Sequence, residues 1–409
     1  MRTLTVLFFT LISTCVYSQT TDFDTLLQQG KDEFYKDFDK QDYENAVNTL
    51  EQAIRLEPEN SEAHYFLGYA YSRVNSKDGK GMIAMNLPLT IKSSEQFELV
   101  NKLTPKYDGA VVSLDPYSKL TAEWGSLAMS YWHNNKPDSA LWAFNEGKRR
   151  GGFGEFYLSI NRKVLDFCTQ NSILISSGDN FTIPLWYLQI VEKYRTDVAV
   201  IDISLLNTIW YPKYLVNNSD LTFGLSNQEL DSIQYIQWSD SVITINTSAN
   251  TDFSWTLKPS YYEKYLLRGD RLFLNLLTNN KFNREIFFTK GFIEDSRLSL
   301  KDNLNSIILI DRLNYNQKQN LTFKEYKSKL LPVLDCLNNL NTNSQQELNF
   351  VDNIRFDIFT RVYDCINNED KKQAKRLIKI TDKKVNHKDF PFQSDQSLKY
   401  YEYLKDRLK

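Results

Sequence analysis

The chain reads as an α + α/β protein, with helical hairpin repeats at the N-terminus, a central mostly parallel α/β sheet domain and a C-terminal helical hairpin region. Three observations predict it. Small and large residues recur at helix-pair spacing between residues 24 and 152. The stretch from Asn161 to Trp210 holds two short apolar segments, Ile173 to Ile175 and Val198 to Ile203, separated by a polar turn and a helix-length amphipathic run. That is a βαβ unit, whose crossover makes its two strands parallel. Beyond residue 316, Leu321 to Asn338 and Asn349 to Asn367 return to helical spacing. The expected boundaries are a leader at 1–18, repeats at 24–152, the α/β domain at 155–315 and the helical region at 316–409.

The leader comes first. Leu4 to Val16 is apolar, follows one positive charge at Arg2 and ends in Val16-Tyr17-Ser18 before Gln19. It has the form of a secretory signal peptide and is too short to span a bilayer comfortably. The expectation is an exported protein of the periplasm or cell envelope, with no transmembrane segment after cleavage. A competing lipoprotein reading uses Ile12-Ser13-Thr14-Cys15, although threonine before the cysteine fits that box poorly.

Composition excludes some classes. The formal net charge is −2, and basic and acidic residues nearly balance, so there is no nucleic-acid footprint. Of four cysteines, Cys168, Cys336 and Cys365 survive cleavage. The odd number leaves at least one thiol unpaired or paired between molecules. Spacing leaves a Cys336–Cys365 disulfide open beside the reading of both as small buried residues.

The repeats follow. In DYENAVNTLEQAIRLEPENSEAHYFLGYAY, residues Ala46, Leu50, Ala53 and Pro58 mark the second helix of one repeat, and His64, Leu67, Gly68 and Tyr71 the first helix of the next. The pattern resembles the tetratricopeptide repeat closely. A second instance sets Trp124, Leu127, Ala128 and Tyr131 before Ala140, Phe144 and Gly147, and a degenerate helix lies between them at Leu87 to Leu103. Such arrays imply a protein or peptide partner on a concave surface; the alternative is a cap packed on the next domain. His64 occupies the repeat's usual tryptophan place and reads as a packed aromatic substitute. His133 and Lys136 read as solvated turn residues.

In the α/β domain, the turn Ser176-Ser177-Gly178-Asp179-Asn180 follows the first strand, and Pro184 and Trp186 come after it. Asp179 is expected to cap a helix beginning near Pro184. Val242 to Ile245, Ile286 to Thr289 and Ile307 to Leu309 are further strand candidates, and Gly269 to Leu277 is a crossover helix. The runs SILISSGDNFTIPLWYLQIVEKYRTDVAVIDISLLNTIWY and LLRGDRLFLNLLTNNKFNREIFFTKGF resemble the soluble extracytoplasmic region of bacterial protein O-mannosyltransferase-like membrane proteins of the GT-C class. The family commonly reads GDNDTFPLWYLQ in the first motif; Gly178, Asp179, Asn180, Thr182, Pro184, Leu185, Trp186 and Tyr187 match it. The family's second aspartate is Phe181 here, and the proline after its later arginine is Glu285. The resemblance implies a detached accessory version of the soluble region, since the family's catalytic apparatus belongs to a membrane portion that these residues lack.

Ligands of open α/β sheets sit at the carboxyl ends of the strands. Ser177, Gly178, Asp179, Asn180 and Asn207 are therefore the expected binding residues, with Ser204 and Thr289 completing a polar mouth. No histidine lies in this domain, which excludes a Ser-His-Asp or Cys-His relay within it. There is no phosphate loop, dinucleotide fingerprint or zinc spacing, so no catalytic residue, metal site or cofactor is expected. The reading is a non-catalytic exported scaffold that binds a protein, with a glycan as the second partner class and a link to protein glycosylation. The alternative is a hydrolase or glycosyl-transfer enzyme using acidic residues at the carboxyl edge of the sheet. A deep pocket with two or more convergent carboxylates would favour the enzyme, and a shallow mouth with Asp179 alone the binding module. In the tail, Asp370 to Asp382 and Leu398 to Leu408 read as helices, and KKQAKRLIKITDKK as a solvated basic face.

Overall fold

The computed structural model describes residues 22–77, 79–291, 297–315 and 321–409. The leader at 1–18 and the expected domain border at 316 lie outside the described residues. Six helices open the chain: α1 (Phe23–Asp32), α2 (Tyr43–Leu56), α3 (Ser61–Ser76), α4 (Leu87–Leu103), α5 (Pro116–His133) and α6 (Pro137–Arg149). Asp22, Asp42, Asn60, Asn86 and Asp115 begin the first five, each accepting a bond from the backbone N–H three residues on. They pack as consecutive antiparallel pairs, α1 with α2, α3 with α4 and α5 with α6. Ala46, Ala53, Ala140 and Ala143 are fully buried, small enough to let paired helices close.

Two cores divide within α5. Phe34, Leu50, Tyr65, Phe66 and Phe97 form the first, joined by Leu120. Trp124, Leu127 and Phe144 belong instead to the core of the α/β domain. The third helix pair is thus a repeat by shape and part of the next domain by packing.

The chain continues through α7 (Glu155–Phe167), β1 (Ile173–Ser176), α8 (Asp179–Ile190), β2 (Ala199–Asp202), α9 (Trp210–Asn218), α10 (Asn227–Ser232), β3 (Ile236–Gln237), β4 (Ser241–Asn246), β5 (Asp252–Leu257), β6 (Tyr265–Leu266), α11 (Arg268–Asn280), β7 (Ile286–Thr289), β8 (Leu304–Ile307) and β9 (Ile310–Leu313). The main sheet has the order β2-β1-β7-β9-β8. Ile173 pairs with Ala199 on one side and Ile286 on the other, both in parallel. β7–β9 and β9–β8 are antiparallel, so the sheet is mixed, with a parallel centre and an antiparallel edge. One strand expectation holds but in a different sheet, and one is corrected. Val242 to Ile245 lies in β4, which pairs only with β5 in a separate hairpin where alternate residues of β5 are buried. Of Ile307 to Leu309, Ile307 ends β8 and Ile308 and Leu309 form the turn to β9, where Ile308 takes φ 56°; three apolar residues in a row do not separate a tight apolar turn from a strand.

Four helices complete the chain: α12 (Phe323–Asp335), α13 (Gln345–Asn367), α14 (Lys371–Lys384) and α15 (Asp395–Arg407). Arg355 of α13 is fully buried, pairs with Asp352 at 2.6 Å and donates to the carbonyls of Val385 and Phe390, tying the tail together. Cys168, Cys336 and Cys365 are buried free thiols.

The array meets the α/β domain along α5 and α8. A Cβ on Gly125 would lie 2.1 Å from Cγ2 of Ile183. Gly125→Ala is therefore expected to cost about 1–3 kcal/mol. Ile183→Ala opens a cavity alone but relieves this clash, so a denaturation double-mutant cycle should give a coupling that makes the pair less destabilised than the sum.

A second junction joins the array to the tail. Asp115 caps α5 through Ser118 N at 2.8 Å and also accepts from Ser344 Oγ at 2.5 Å and Gln346 N at 3.1 Å. Glu347 is buried beside it; burial pushes its carboxyl up to about 8, with the Asp115 charge adding and the Asn341 N–H opposing. A carboxyl protonated in the folded chain but ionised in the unfolded one contributes stability that is complete below its ordinary value of 4.5 and lost as pH rises through about 8. Urea midpoints should fall between pH 5 and pH 8 in the wild type, and less steeply in Glu347→Gln.

Candidate functional site

The β1-to-α8 turn is sharper than Asp179 as a cap would allow. Gly178 takes φ 83° with open space around it, a conformation that favours glycine, and α8 starts at the next residue. Asp179 is the first helical residue, and its side chain makes no capping bond. The expected helix start near Pro184 is thus five residues late, because Pro184 stands inside α8. Its missing N–H would have bonded the carbonyl of Asn180. The buried amide of Asn161 in α7 fills that place, donating to Asn180 O at 3.0 Å.

The chain leaves β1 toward β2 on one side and, after β2, returns past β1 to β7 on the other. The switch point of the sheet therefore lies between β1 and β7, and the polar turns gather beside it at the carboxyl ends of β1 and β2. A cavity of about 280 Å³ lies there. Gly178, Asp179, Asp202 and Ser204 line it from the sheet; Ser72, Arg73, Lys119, Glu123 and Ser126 line it from α3 and α5. The polar rim of the sheet is closed over by the helical array.

Three carboxyls face this space. Glu123 is buried and paired with Lys119 at 2.7 Å, and Ser72 bridges the two, receiving a bond from Lys119 at 2.8 Å and donating to Glu123 Oε1. The Lys119 ammonium also sits 4.5 Å from the centre of the Tyr69 ring. Glu123 Oε2 is buried with no hydrogen-bond partner among the described residues. Asp202 accepts from Thr182 Oγ1 at 2.6 Å and from Leu205 N at 2.9 Å. Burial nevertheless pushes it up to about 6, and Asp179 adds to the rise. Asp179 is exposed to the cavity. Removal of bulk water raises its pKa, with Lys119 and Arg73 pulling down and Glu123 pushing up.

The other expected residues part company. Ser177 is half-buried and off the cavity wall. Asn180 faces the other way and donates to Tyr157 OH at 3.2 Å. Asn207 accepts from Gly269 N at 2.8 Å at the start of α11 and opens onto a separate groove with Trp210 and His133. His133 packs its ring 5.3 Å from that of Trp210, where a solvated turn residue was expected. Thr289 is buried away from the cavity. What the sequence reading missed is the array's half of the site. The one signal was a Lys119–Glu123 pair at i, i+4 in a helix otherwise made of small and apolar residues. Among the described residues, no group of three or more His, Cys, Asp or Glu is placed to hold a metal ion, and no helix is long and apolar enough to cross a membrane.

Comparison with known families adds two matches. A family model described as TPR repeat matches residues 35–75, spanning α2 and most of α3. The chain carries a tetratricopeptide repeat. A second model, TMEM260-associated domain 2, matches residues 158–259, from α7 past β5. This second match begins before the βαβ unit and takes in Gly178, Asp179 and Asp202. No curated protein matches the chain.

With no capping bond to lose, Asp179→Ala should keep its helix. A carboxylate whose folded pKa is raised costs stability above its ordinary value, so Asp179→Asn should be the more stable protein at pH 7, with the difference shrinking toward pH 4. Thermal melts at the two pH values check the sign.

Proposed function

We propose that the chain is an exported interaction scaffold of the cell envelope, with the tetratricopeptide array holding a protein partner and the cavity at the carboxyl ends of β1 and β2 holding a small polar ligand. The observation that carries this reading is the cavity itself, because the array and the sheet each supply half of its wall. A non-catalytic role is supported by the state of its acids. Glu123 is spent on Lys119, and Asp202 on Thr182 and Leu205, which leaves Asp179 alone with no bond from a described residue. The leader supports export. The resemblance to the soluble region of O-mannosyltransferase-like proteins, together with the domain match over residues 158–259, supports a glycan-handling context.

A second reading keeps the acids for chemistry. The cavity is lined by three carboxyls rather than Asp179 alone, and Asp202, pushed up to about 6, could hold or release a proton near neutrality. Asp202→Asn should abolish turnover under that reading and leave partner binding untouched under both.

Tyr35, Leu56 and Val111 are exposed apolar residues on the array's own core unit, 63%, 53% and 49% accessible, and supply the partner surface. The mature chain, starting at Gln19, should retain a defined partner from envelope extract, and Tyr35→Ala with Leu56→Ala should lose it at an unchanged melting temperature. Retention by the double variant, or an exported mass that includes a lipid on Cys15, would count against this assignment.

A further inference from the structure

One surface helix carries positive charge that the rest of the molecule does not balance, and we infer that the outer face of α14 docks the chain onto a bilayer surface through the headgroups of anionic phospholipids. None of its residues lines the cavity or belongs to the exposed apolar surface of the array.

The buried residues of α14 are Ala374, Leu377, Ile378 and Thr381, packed on α13. Helical spacing puts those four on one side, so Lys372, Arg376, Lys379 and Lys383 line the other, with Lys375 beside them. All five are exposed, as are Lys371 and Lys384. The helix thus carries seven basic side chains and one acid, Asp382, in a chain whose formal net charge is −2. Among the described residues, Lys384 alone of the seven reaches a carboxylate, Asp335 at 3.0 Å. Asp382 is occupied by α15, accepting from Tyr401 Oη at 2.5 Å and pairing with Lys405 at 3.8 Å. Elsewhere the protein pairs its cations: Arg149 and Arg150 share Glu146, and Arg162 bridges Glu155 and Glu192. On α14 the opposite arrangement works against the helix itself. Like charges at i, i+3 and i, i+4 repel, and Lys371 and Lys372 stand in the first turn, where the macrodipole disfavours cations.

Charge alone fits several polyanions, and the side chains of the stripe choose between them. A protein partner needs an apolar anchor, since interface cores are poor in lysine and rich in aromatic groups; no exposed large apolar residue lies on α14. Nucleic acid is held by arginine forks and aromatic stacking, and six of these seven cations are lysine. A bilayer surface asks only for charge density. Clusters of about 4–8 Lys or Arg hold to anionic headgroups without inserting an apolar group. Lysine's compact ammonium on a flexible stem suits fluid headgroups that offer no fixed geometry. The helix is about 20 Å long, its apolar side is already buried against α13, and its outer line of cations meets a plane along its length.

The test is co-sedimentation of the mature chain with vesicles of phosphatidylcholine alone, and with about 30% phosphatidylglycerol added, at about 0.05 M and about 0.5 M salt. Binding to the anionic vesicles at low salt is expected, with loss of it at high salt and on phosphatidylcholine. Lys372→Gln, Lys375→Gln, Lys379→Gln and Lys383→Gln combined should lower the partition coefficient by about a hundredfold or more. Lys102→Gln with Lys106→Gln, on the array, should leave it unchanged. With the repulsion relieved, the four-glutamine variant should melt no lower than wild type, and arginine at the same four positions should bind as wild type does. Equal binding to phosphatidylcholine, anionic binding that the four-glutamine variant keeps, or no binding to the anionic vesicles each overturns the assignment. Loss of binding in the four-arginine variant would show a structural role instead and overturn it as well. Tighter capture of a short DNA duplex at the same salt, read by fluorescence anisotropy, would replace lipid by nucleic acid as the occupant. Partner capture through Tyr35 and Leu56 is read separately, so failure here and failure of the scaffold reading are distinguishable.

Discussion

The absence of one side chain governs how this molecule is put together. Gly125 lets α5 lie so close to α8 that a single added carbon would sit inside Ile183. Close approach puts Trp124, Leu127 and Phe144 into the same core as the parallel strands, and the hydrophobic area buried there is what holds the array in place. It also sets the distance across the cavity, since Glu123 and Ser126 flank Gly125 on the same helix. A tetratricopeptide helix normally turns its inner face toward solvent or a partner; here part of that face is committed within the chain.

Three acids around one cavity would repel one another if all were treated alike, and the structure treats each differently. Glu123 is neutralised by a buried lysine, a pairing that returns the desolvation cost only with good geometry, which Ser72 helps to enforce. Asp202 is held by donated hydrogen bonds, and burial lifts its pKa toward neutrality, which lessens the charge it must carry. Asp179 has neither device and keeps contact with the space in the cavity. The result is a pocket with strong acceptors and little net field.

Much of the architecture was legible because it rests on local chemistry. The α4 helix follows from Asn86 and the apolar spacing after it, and the βαβ unit from two apolar runs flanking an amphipathic one. The errors came where identical local patterns have different tertiary outcomes. Val242 to Ile245 alternates as a strand should, yet nothing local says which sheet it joins. Asp179 before a proline has the look of a cap, but Gly178 in the left-handed region moves the helix start forward. The array's half of the cavity was hidden because Lys119 and Glu123 lie far ahead of the first strand at Ile173 in the chain, at a spacing common on any solvated helix.

The proline inside α8 has a consequence for how such a protein can be recombined. Its lost backbone bond is replaced by Asn161, a residue of the preceding helix, so the first turn of α8 is complete only when α7 is present. The inheritable module therefore begins ahead of the first strand, and a gene fusion that joined this sheet to a different set of repeats would have to carry α7 with it. The domain match that starts at residue 158 rather than at the strand has its edge where this dependence puts it. Only repeats upstream of α5 can be exchanged without cutting into the shared core, and α5, α6 and α7 travel with the sheet.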